Sequence, residues 1–356
     1  MAETKIGIRK LDHLKLCREM DVEHQGTTTL LEDVHLVHQA LAGLSFDDIR
    51  TETAFMGRGL KAPLLITAMS GGVAEAGALN RDLAAAAQAL GIGFCLGSQR
   101  PMLEDRKAAA SYQVRELAPD IPIVGNIGIQ QAAEADPDAV AGLVAAVGAD
   151  GLAVHVNPAQ ELSQPEGDRR FPKPEAVLKA LARRLPGRLM VKETGCGISR
   201  EAALKVKASG VRIVDVAGAG GTSWPWVEHL REEAVPPKRQ WLDEWGIPTA
   251  VSLFEVRGLG LQTVASGGIR SGLDAAKCLA LGADLVGMAL PVLRAHGRGG
   301  PGGVVSFLSG VIAELKTAML LCGAKDLKAL ARTEPVLTGK LNEWLTSRRA
   351  RPRTGR

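Results

Sequence analysis

Short apolar runs alternate with helical stretches along the chain from about residue 62 onward. The stretches between the runs, such as LNRDLAAAAQAL (79–90), place apolar residues at helical spacing. Continuous apolar runs that alternate with helices indicate parallel strands buried on both faces. The runs are APLLITAM (62–69), GIGFCLGS (91–98), IPIVGNIG (121–128), GLAVHV (151–156), RLMVKE (188–193), VRIVDV (211–216), LQTVAS (261–266) and DLVGMA (284–289).

Eight such units within about 230 residues indicate an α/β protein with a (β/α)8 TIM barrel. A doubly wound open sheet is the alternative, because strand order within a sheet cannot be read from order along the chain. We predict an N-terminal arm over 1–60, with a helix-like stretch around Leu30 to Ala42. The barrel spans 61–325, a C-terminal helical extension 326–347 and a disordered basic tail 348–356.

A long insert follows strand six, GAGGTSWPWVEHLREEAVPPKRQWLDEWG (218–246), and holds four of the five tryptophans. In a barrel this loop lies over the face that carries the active site. Loops of this length are usually functional or disordered. The insert is therefore either a cover over the site or a surface whose tryptophans pack on a neighbouring subunit.

Composition changes this picture only in detail. Glycine occurs 41 times, while aromatic residues make up 3% of the chain. The formal net charge of +4 is a property of the tail, which has five arginines in its last nine positions. No basic stripe is interleaved with aromatic residues, so we expect no nucleic-acid partner.

Cysteine usage and the apolar segments concern the cellular compartment. The five cysteines form no CxxC pair, which is typical of a reducing cytoplasm. The N-terminus lacks the apolar core of a signal peptide. The apolar stretch from Val304 to Leu321 contains Glu314 and Lys316, so we expect a core helix and not a membrane span.

Polar residues cluster where the predicted strands end. Catalytic and binding groups of closed barrels come from these C-terminal strand ends. One polar end means little, but a series of them indicates a single convergent site. The ends hold Thr67 to Gly72, Ser98 and Arg100, Asn126, His155 to Glu161, Lys192, Asp215 to Thr222, Ser266 to Arg270, and Gly287 to Leu290.

The most specific local signal is for phosphate. Gly267 and Gly268 open the helix after strand seven, and Gly287 lies near the end of strand eight. Loops after strands seven and eight are the usual phosphate site of a barrel, because glycine lets backbone N–H groups approach the oxygens. A tight turn without a ligand is the alternative. The GAGG at 218–221 lacks the context of a dinucleotide fingerprint.

Several ionisable residues have more than one interpretation. Lys192 would enter the barrel mouth, where it could balance an anion, form a Schiff base, support a reduced flavin or form a structural ion pair. Glu161 together with substrate phosphate oxygens is sufficient for Mg²⁺, or it is a surface carboxylate. His155 alone is more often structural. Arg9, Lys10 and His13 form a basic cluster that is either a binding site or solvated.

Taken together, the motifs resemble the type 2 isopentenyl diphosphate isomerases, which are FMN-dependent (β/α)8 enzymes. The resemblance runs from about residue 6 to about residue 340, and HVNPAQE and DVAGAGGTSW are its most specific parts. The motifs are RKLDHL (9–14), SGG (70–72), GSQR (97–100), GNIG (125–128), HVNPAQE (155–161), VKETGCGIS (191–199), DVAGAGGTSW (215–224) and SGGIRSGLDAAKCLALGAD (266–284).

The resemblance implies a role for each motif residue. FMN would contact Ala68, Met69, Ser70, Ser98, Asn126, Lys192 and Thr222, and its phosphate would contact Gly267, Gly268, Arg270, Ala289 and Leu290. The substrate would contact Arg9, Lys10, His13, Ser98, Arg100, His155 and Gln160, with Gln160, His155 and Lys192 as catalytic residues and Glu161 as the Mg²⁺ ligand.

The implied reaction interconverts isopentenyl and dimethylallyl diphosphate, with reduced FMN as acid and base, Mg²⁺ at the diphosphate and NADPH as the reductant. The cysteine usage predicts a cytoplasmic protein, and the resemblance implies a homotetramer or homo-octamer. The alternative on the same barrel is an FMN-dependent 2-hydroxy acid oxidoreductase, which needs a histidine base near strand six, where this chain reads AGAGGTSW. A Schiff-base enzyme and a non-catalytic phosphate-binding barrel are further alternatives.

Overall fold

Eight parallel strands close into a barrel in the computed structural model, which describes residues 5–171, 173–232 and 238–350. The closed barrel that the sequence predicts is confirmed, and the open sheet is wrong. In chain order the strands are β1 (Val34–His35), β2 (Thr53–Phe55), β3 (Arg58–Leu60), β4 (Leu64–Ile66), β5 (Gly93–Cys95), β6 (Ile123–Gly128), β7 (Gly151–His155), β8 (Leu189–Lys192), β9 (Ile213–Asp215), β10 (Gln262–Ala265), β11 (Leu285–Met288) and β12 (Val336–Leu337).

The barrel consists of β4 to β11 in sequence order, and the parallel pairing of β11 with β4 completes the ring. Helices surround it. They are α1 (Lys5–Glu19), α2 (Ala74–Leu90), α3 (Arg100–Glu104), α4 (Ile129–Glu134), α5 (Pro137–Ala146), α6 (Pro158–Ser163), α7 (Pro174–Arg184), α8 (Arg200–Ala208), α9 (Trp224–Glu232), α10 (Thr249–Val256), α11 (Gly272–Ala280), α12 (Leu290–Leu321), α13 (Leu327–Leu330) and α14 (Gly339–Ala350).

A β-hairpin closes the N-terminal end of the barrel. Each of the eight barrel strands contributes one buried side chain to a small core inside the ring, and Phe55 and Leu60 of the β2–β3 hairpin join that core. This core is built from aliphatic and sulfur-containing side chains and one aromatic ring, so a chain with few aromatic residues can fill the barrel interior. With this end filled, the polar groups face the opposite, C-terminal end.

Two boundaries differ from the sequence prediction. The helix-like stretch around Leu30 to Ala42 is not an α-helix, since Leu30 has a positive φ of 56° and the strand β1 pairs with β12. Tertiary pairing outweighs local propensity there. The helix α14 continues to Ala350, so the first residues of the predicted tail are helical. Residues 351–356 lie outside the described residues.

The apolar helix α12 is long and apolar enough to cross a membrane by length and composition alone. Non-helical angles at Gly299 and Gly300 divide it into two parts. Its apolar side chains Leu308, Val311 and Leu315 are buried, and the helix packs along α2 and α11. The stretch from Val304 onward therefore forms part of the outer layer of the barrel, as the sequence predicts.

Candidate functional site

One cavity opens at the C-terminal ends of the strands, and every site residue that the sequence singles out lines it. The other lining residues are both polar and apolar. Most of them lie near the strand ends, and the rest come mainly from the arm, the ends of α6 and the insert. The predicted residues are Arg9, Lys10, His13, Ala68, Met69, Ser70, Ser98, Arg100, Asn126, His155, Gln160, Glu161, Lys192, Thr222, Gly267, Gly268, Arg270, Ala289 and Leu290.

At the end of the cavity for which the sequence predicts phosphate binding, backbone packs directly on backbone. Gly267 and Gly268 have positive φ angles of 95° and 73°. A Cβ on Gly267 would stand 2.1 Å from the carbonyl oxygen of Gly218, and a Cβ on Gly221 would stand 2.3 Å from the nitrogen of Gly268. The loops after β9 and β10 therefore touch without side chains between them, and the helix α12 begins beside them at Leu290.

The middle of the cavity suits a flavin ring. Ala68 and Met69 follow β4, and the buried hydroxyl oxygen of Ser70 has no hydrogen-bond partner in the described part of the chain. An unpartnered buried hydroxyl is a group that a ligand can satisfy. Lys192, at the end of β8, adds a cation, and its Nζ donates to the carbonyl oxygen of Glu193 at 2.6 Å. This donor set, with the glycine-rich phosphate end, fits FMN.

Glu193 fixes the loop after β8. One of its carboxylate oxygens accepts hydrogen bonds from the backbone N–H groups of Thr194, Gly195 and Cys196. Burial raises the pKa of Glu193 to about 7, although these three donors oppose the shift. The carboxylate therefore holds the backbone next to Lys192, and the lysine pairs with its carbonyl instead of its side chain.

His155 is a neutral ring at the end of β7. Burial, together with the charges of Lys192 and Lys10, lowers the pKa of His155 to about 3. Its Nδ1 lies 2.8 Å from Oδ1 of Asn126, and a carbonyl oxygen only accepts, so Nδ1 carries the proton. The ring can therefore accept a hydrogen bond at Nε2, but it is not a cation for the diphosphate.

The helix α1 brings the predicted basic cluster into the cavity. Lys10 Nζ donates to the carbonyl oxygens of Gly71 and Ser98, and it lies 3.4 Å from the hydroxyl of Tyr112. Burial lowers the pKa of Lys10 to about 7, and the neighbouring charges of Arg9 and Arg100 add to the shift. The cluster is therefore partly buried and positioned, and is not a solvated charge run.

Gln160 belongs to a polar network around a carboxylate that the sequence analysis missed. Gln160 lies in α6, and Gln164 directly follows the last residue of this helix. Each amide donates to Oε1 of Glu228 at 2.9 Å, and Nε2 of His13 lies 3.0 Å from the same oxygen. Arg231 donates to the other oxygen at 2.9 Å. Burial alone raises the pKa of Glu228, but His13, Gln160 and Arg231 outweigh it and lower the pKa to about 2.

Arg9 joins this network through an amide. Its Nη1 donates to Oε1 of Gln164 at 2.9 Å, while Nε2 of Gln164 donates to Glu228. Gln164 is buried and lies one helical turn beyond Gln160. That i to i+4 spacing was the signal that could have identified it, whereas the position of Glu228 on the insert has no such spacing.

Glu161 is oriented by its neighbours, and its two oxygens point to different partners. Nδ2 of Asn157 donates to Gln160 and to Glu161, both at 3.1 Å, and the backbone N–H of Asp168 donates to the second oxygen of Glu161 at 2.9 Å. Within the described ranges no group of three or more metal-ligating side chains exists. A metal ion here would take most of its ligands from the substrate and water.

The insert divides its tryptophans between two environments. Trp224 lines the cavity, with its ring edge to face against His13 at 5.1 Å, and Trp226 is buried and donates to the carbonyl oxygen of Asp21 at 2.9 Å. Trp241 and Trp245 are exposed, by 73% and 59%. The helix α9 is therefore a wall of the cavity and a support for the arm, and residues 233–237 lie outside the described residues.

Comparison with known proteins places this architecture in a family. The family model for FMN-dependent dehydrogenases matches residues 102–336. An isopentenyl-diphosphate delta-isomerase of Pyrococcus abyssi is 41% identical, over 97% of this chain and 96% of its own length. The enzyme of the same name from Halobacterium salinarum is 43% identical, over 97% of each chain.

Solved structures show the same fold at much lower identity. A lactate oxidase of Pediococcus acidilactici has a TM-score of 0.65 at 16% identity, and it covers 93% of this chain and 94% of its own. A mandelate oxidase has a TM-score of 0.63 at 19% identity, with 92% and 95% covered. The chain therefore belongs to the FMN-dependent dehydrogenase family and, within it, to the type 2 isopentenyl-diphosphate delta-isomerases.

Proposed function

We propose that this chain interconverts isopentenyl diphosphate and dimethylallyl diphosphate with FMN in its reduced form. One observation carries the proposal. The helix α1 brings Arg9 and Lys10 to a cavity that already has a phosphate-type end at Gly267 and Gly268. The cavity would therefore offer two anion sites, one for the cofactor phosphate and one for the diphosphate of the substrate. A 2-hydroxy acid would leave the second site without a ligand.

The cofactor would lie across the strand ends. Gly267, Gly268 and the start of α12 at Leu290 would hold its phosphate through backbone N–H groups and the helix dipole. Ser70, Asn126 and Thr222 would supply hydrogen bonds along the ring and the ribityl chain. The buried hydroxyl oxygen of Ser70, which has no hydrogen-bond partner among the described residues, supports this role because a ligand could satisfy it. Lys192 would place a positive charge where a reduced ring is negative.

The reaction moves a proton on and off carbon with no net change of redox state. Bound reduced FMN would supply an acid and a base beside the alkene. Gln160 would lie at the allylic carbons, held by its bonds to Glu228 and Asn157. His155 would stay neutral and hydrogen-bond the substrate through Nε2. Arg9 and Lys10 would hold the diphosphate by charge-assisted hydrogen bonds, with Arg100 at the rim.

Glu161 would hold Mg²⁺ together with diphosphate oxygens. Mg²⁺ keeps several water ligands and commonly uses one or two carboxylates plus substrate phosphates. The E161Q variant is expected to need a higher Mg²⁺ concentration for half-maximal activity and to keep its yellow colour. We would measure initial rates against Mg²⁺ and the flavin absorbance of the purified variant. Loss of FMN from the variant would place Glu161 in the cofactor site instead.

NADPH would serve only to keep the flavin reduced, and the chain would act in the cytoplasm. All five cysteines are free, and four of them are buried, which supports a reducing compartment. We also propose a homotetramer or homo-octamer. The exposed pair of Trp241 and Trp245 in the insert supports an interface between copies. Sedimentation of the holoprotein tests this, and a monomer at micromolar concentration contradicts it.

The test of the proposed function is an anaerobic assay of the purified protein. FMN, NADPH, Mg²⁺ and isopentenyl diphosphate are added, and dimethylallyl diphosphate is expected only when the flavin is reduced. No product under these conditions refutes the proposal. Flavin reduction by lactate or glycolate would favour the oxidoreductase, and borohydride trapping of substrate on Lys192 would favour the Schiff-base enzyme.

A further inference from the structure

Glu23 joins the N-terminal arm to two arginines of the barrel. Its Oε1 accepts hydrogen bonds from Nε of Arg270 at 3.0 Å and from Nη2 of the same side chain. Its Oε2 accepts from Nη1 of Arg294 at 3.2 Å. One carboxylate is therefore shared by two guanidinium groups, one from the loop after β10 and one from the helix α12.

The backbone around Glu23 is fixed as well. Glu23 forms a β-bridge with Thr222, and its carbonyl oxygen accepts from Nη2 of Arg239 at 2.8 Å. Arg294 also donates to the carbonyl oxygens of Cys17 and Met20. The segment that follows α1 is thus held by Arg239, Arg270 and Arg294. Among the described residues, Glu23 is the only carboxylate that pairs with Arg270 or Arg294.

Glu23 and its two arginine partners connect the two ends of the cavity. Arg270 follows the glycine pair at the phosphate end, and Arg294 lies in the first turns of α12. Glu23 itself follows α1, which carries Arg9 and Lys10 to the other anion site. A change at Glu23 therefore acts on a segment that connects the two sites.

We propose that Glu23 is a positioning residue that fastens the substrate-binding arm to the phosphate end of the cofactor site. The inference rests on the proposed function for the identity of the two anions. The side chains of Glu23, Arg270 and Arg294 are 28%, 33% and 28% exposed. Partly exposed ion pairs contribute little to global stability, so the effect of this cluster is expected to be local.

The charge arrangement gives the two sites opposite responses to loss of the carboxylate. Without it, the arm loses its tie to the barrel, and diphosphate binding by Arg9 and Lys10 weakens because the segment must be ordered on binding. Arg270 and Arg294 lose a competing anion, so the positive potential at the cofactor phosphate rises. A purely structural role would weaken both sites together.

The experiment compares two binding equilibria in wild type and E23Q. FMN binding to the apoprotein is followed by flavin fluorescence, and inorganic pyrophosphate binding to the FMN-loaded protein is followed by calorimetry. E23Q is expected to raise the Kd for pyrophosphate about fivefold, which is the scale expected when partly exposed ion pairs that order one segment are lost. The Kd for FMN is expected to stay unchanged or to fall. E19Q, a change at an exposed glutamate in the last turn of α1, is the matched control and is expected to leave both constants unchanged.

Two results overturn the inference. One is an unchanged Kd for pyrophosphate in E23Q, and the other is an equal weakening of FMN and pyrophosphate binding. If E23Q does not fold, E23D carries the test, with a smaller rise in the Kd for pyrophosphate and the same two contradicting results. Both titrations are independent of turnover, so a wild-type protein that binds but does not isomerise refutes the proposed function and leaves this test intact.

Discussion

Glycine positions in this protein are set by contacts between backbones. The sequence predicts that Gly267 contacts a phosphate, because glycine lets a ligand approach the backbone. The structure gives a second reason, since a Cβ at this position would collide with the carbonyl oxygen of Gly218 at 2.1 Å. The φ of 95° also lies in the region that favours glycine. The residue type is therefore required by loop packing as well as by the proposed ligand.

Lys10 is expected to take up a proton when an anionic ligand binds. Burial and the charges of Arg9 and Arg100 lower the pKa of Lys10 to about 7, while Glu104 opposes the shift. A bound diphosphate favours the charged form, so affinity falls as pH rises above about 7. Calorimetry of pyrophosphate binding at pH 8, in buffers of different ionisation enthalpy, measures the uptake. The arginine of K10R stays protonated at this pH. Proton uptake in K10R equal to that of the wild type would therefore contradict the assignment of the uptake to Lys10.

Glu228 is expected to control turnover through Gln160. The variant E228Q loses the charge that His13 and Arg231 contact, and the hydrogen bond that orients Gln160 changes with it. We expect kcat to fall roughly 10²-fold, on the scale of a misplaced proton-transfer group, with FMN retained. Kinetics with reduced flavin measure this, and E232Q on the exposed side of the same helix is the control. Equal activity of the two variants would contradict the role.

At the scale of elements, the parts outside the barrel pattern complete it at both ends. The helix α1 brings Arg9 and Lys10, the proposed second anion site, to the C-terminal end, and α9 of the insert supplies Glu228 and Trp224. The β2–β3 hairpin fills the opposite end with Phe55 and Leu60. The arm predicted for residues 1–60 thus contains two pieces, a helix that lines the cavity and a hairpin that packs inside the barrel.

The hairpin is expected to contribute directly to stability. Leu60 is 3% exposed inside the barrel, so L60A is expected to lower the free energy of unfolding by about 2–5 kcal/mol. Leu41 is 97% exposed, and L41A removes the same atoms at a cost of within about 0.5 kcal/mol. Urea denaturation of both variants measures the difference. Similar values for the two would show that the hairpin is not part of the core.

At the scale of the whole molecule, the closed barrel is a frame on which the proposed cofactor site would span several strand ends. The same fold appears in oxidases at 16% and 19% identity, so the frame tolerates very different sequences. The arm and α9 supply the residues that a diphosphate substrate would require, and a frame shared with oxidases does not specify them. Function in this family is decided by what lies on the barrel face.

FMN is expected to stabilise the folded protein through both of its ends. Ligand at one hundred times its Kd adds about 2.7 kcal/mol to the free energy of unfolding, and Tm rises accordingly. Riboflavin lacks the phosphate and cannot use the backbone N–H groups at Gly267 and Gly268, so it should raise Tm less at equal concentration. Thermal unfolding with each flavin measures this. Equal shifts would place the phosphate outside the glycine loops.

The sequence by itself determined the barrel, because each of the eight buried strands is a short apolar run that can be recognised from neighbouring residues alone. It also determined the strand-end residues, since each lies within a few positions of its strand. Only the tertiary structure decided that Glu228 supports Gln160 and that Glu23 bridges Arg270 and Arg294. These partners lie on separate elements, and no spacing along the chain records contacts that form only when the arm and insert fold over the barrel.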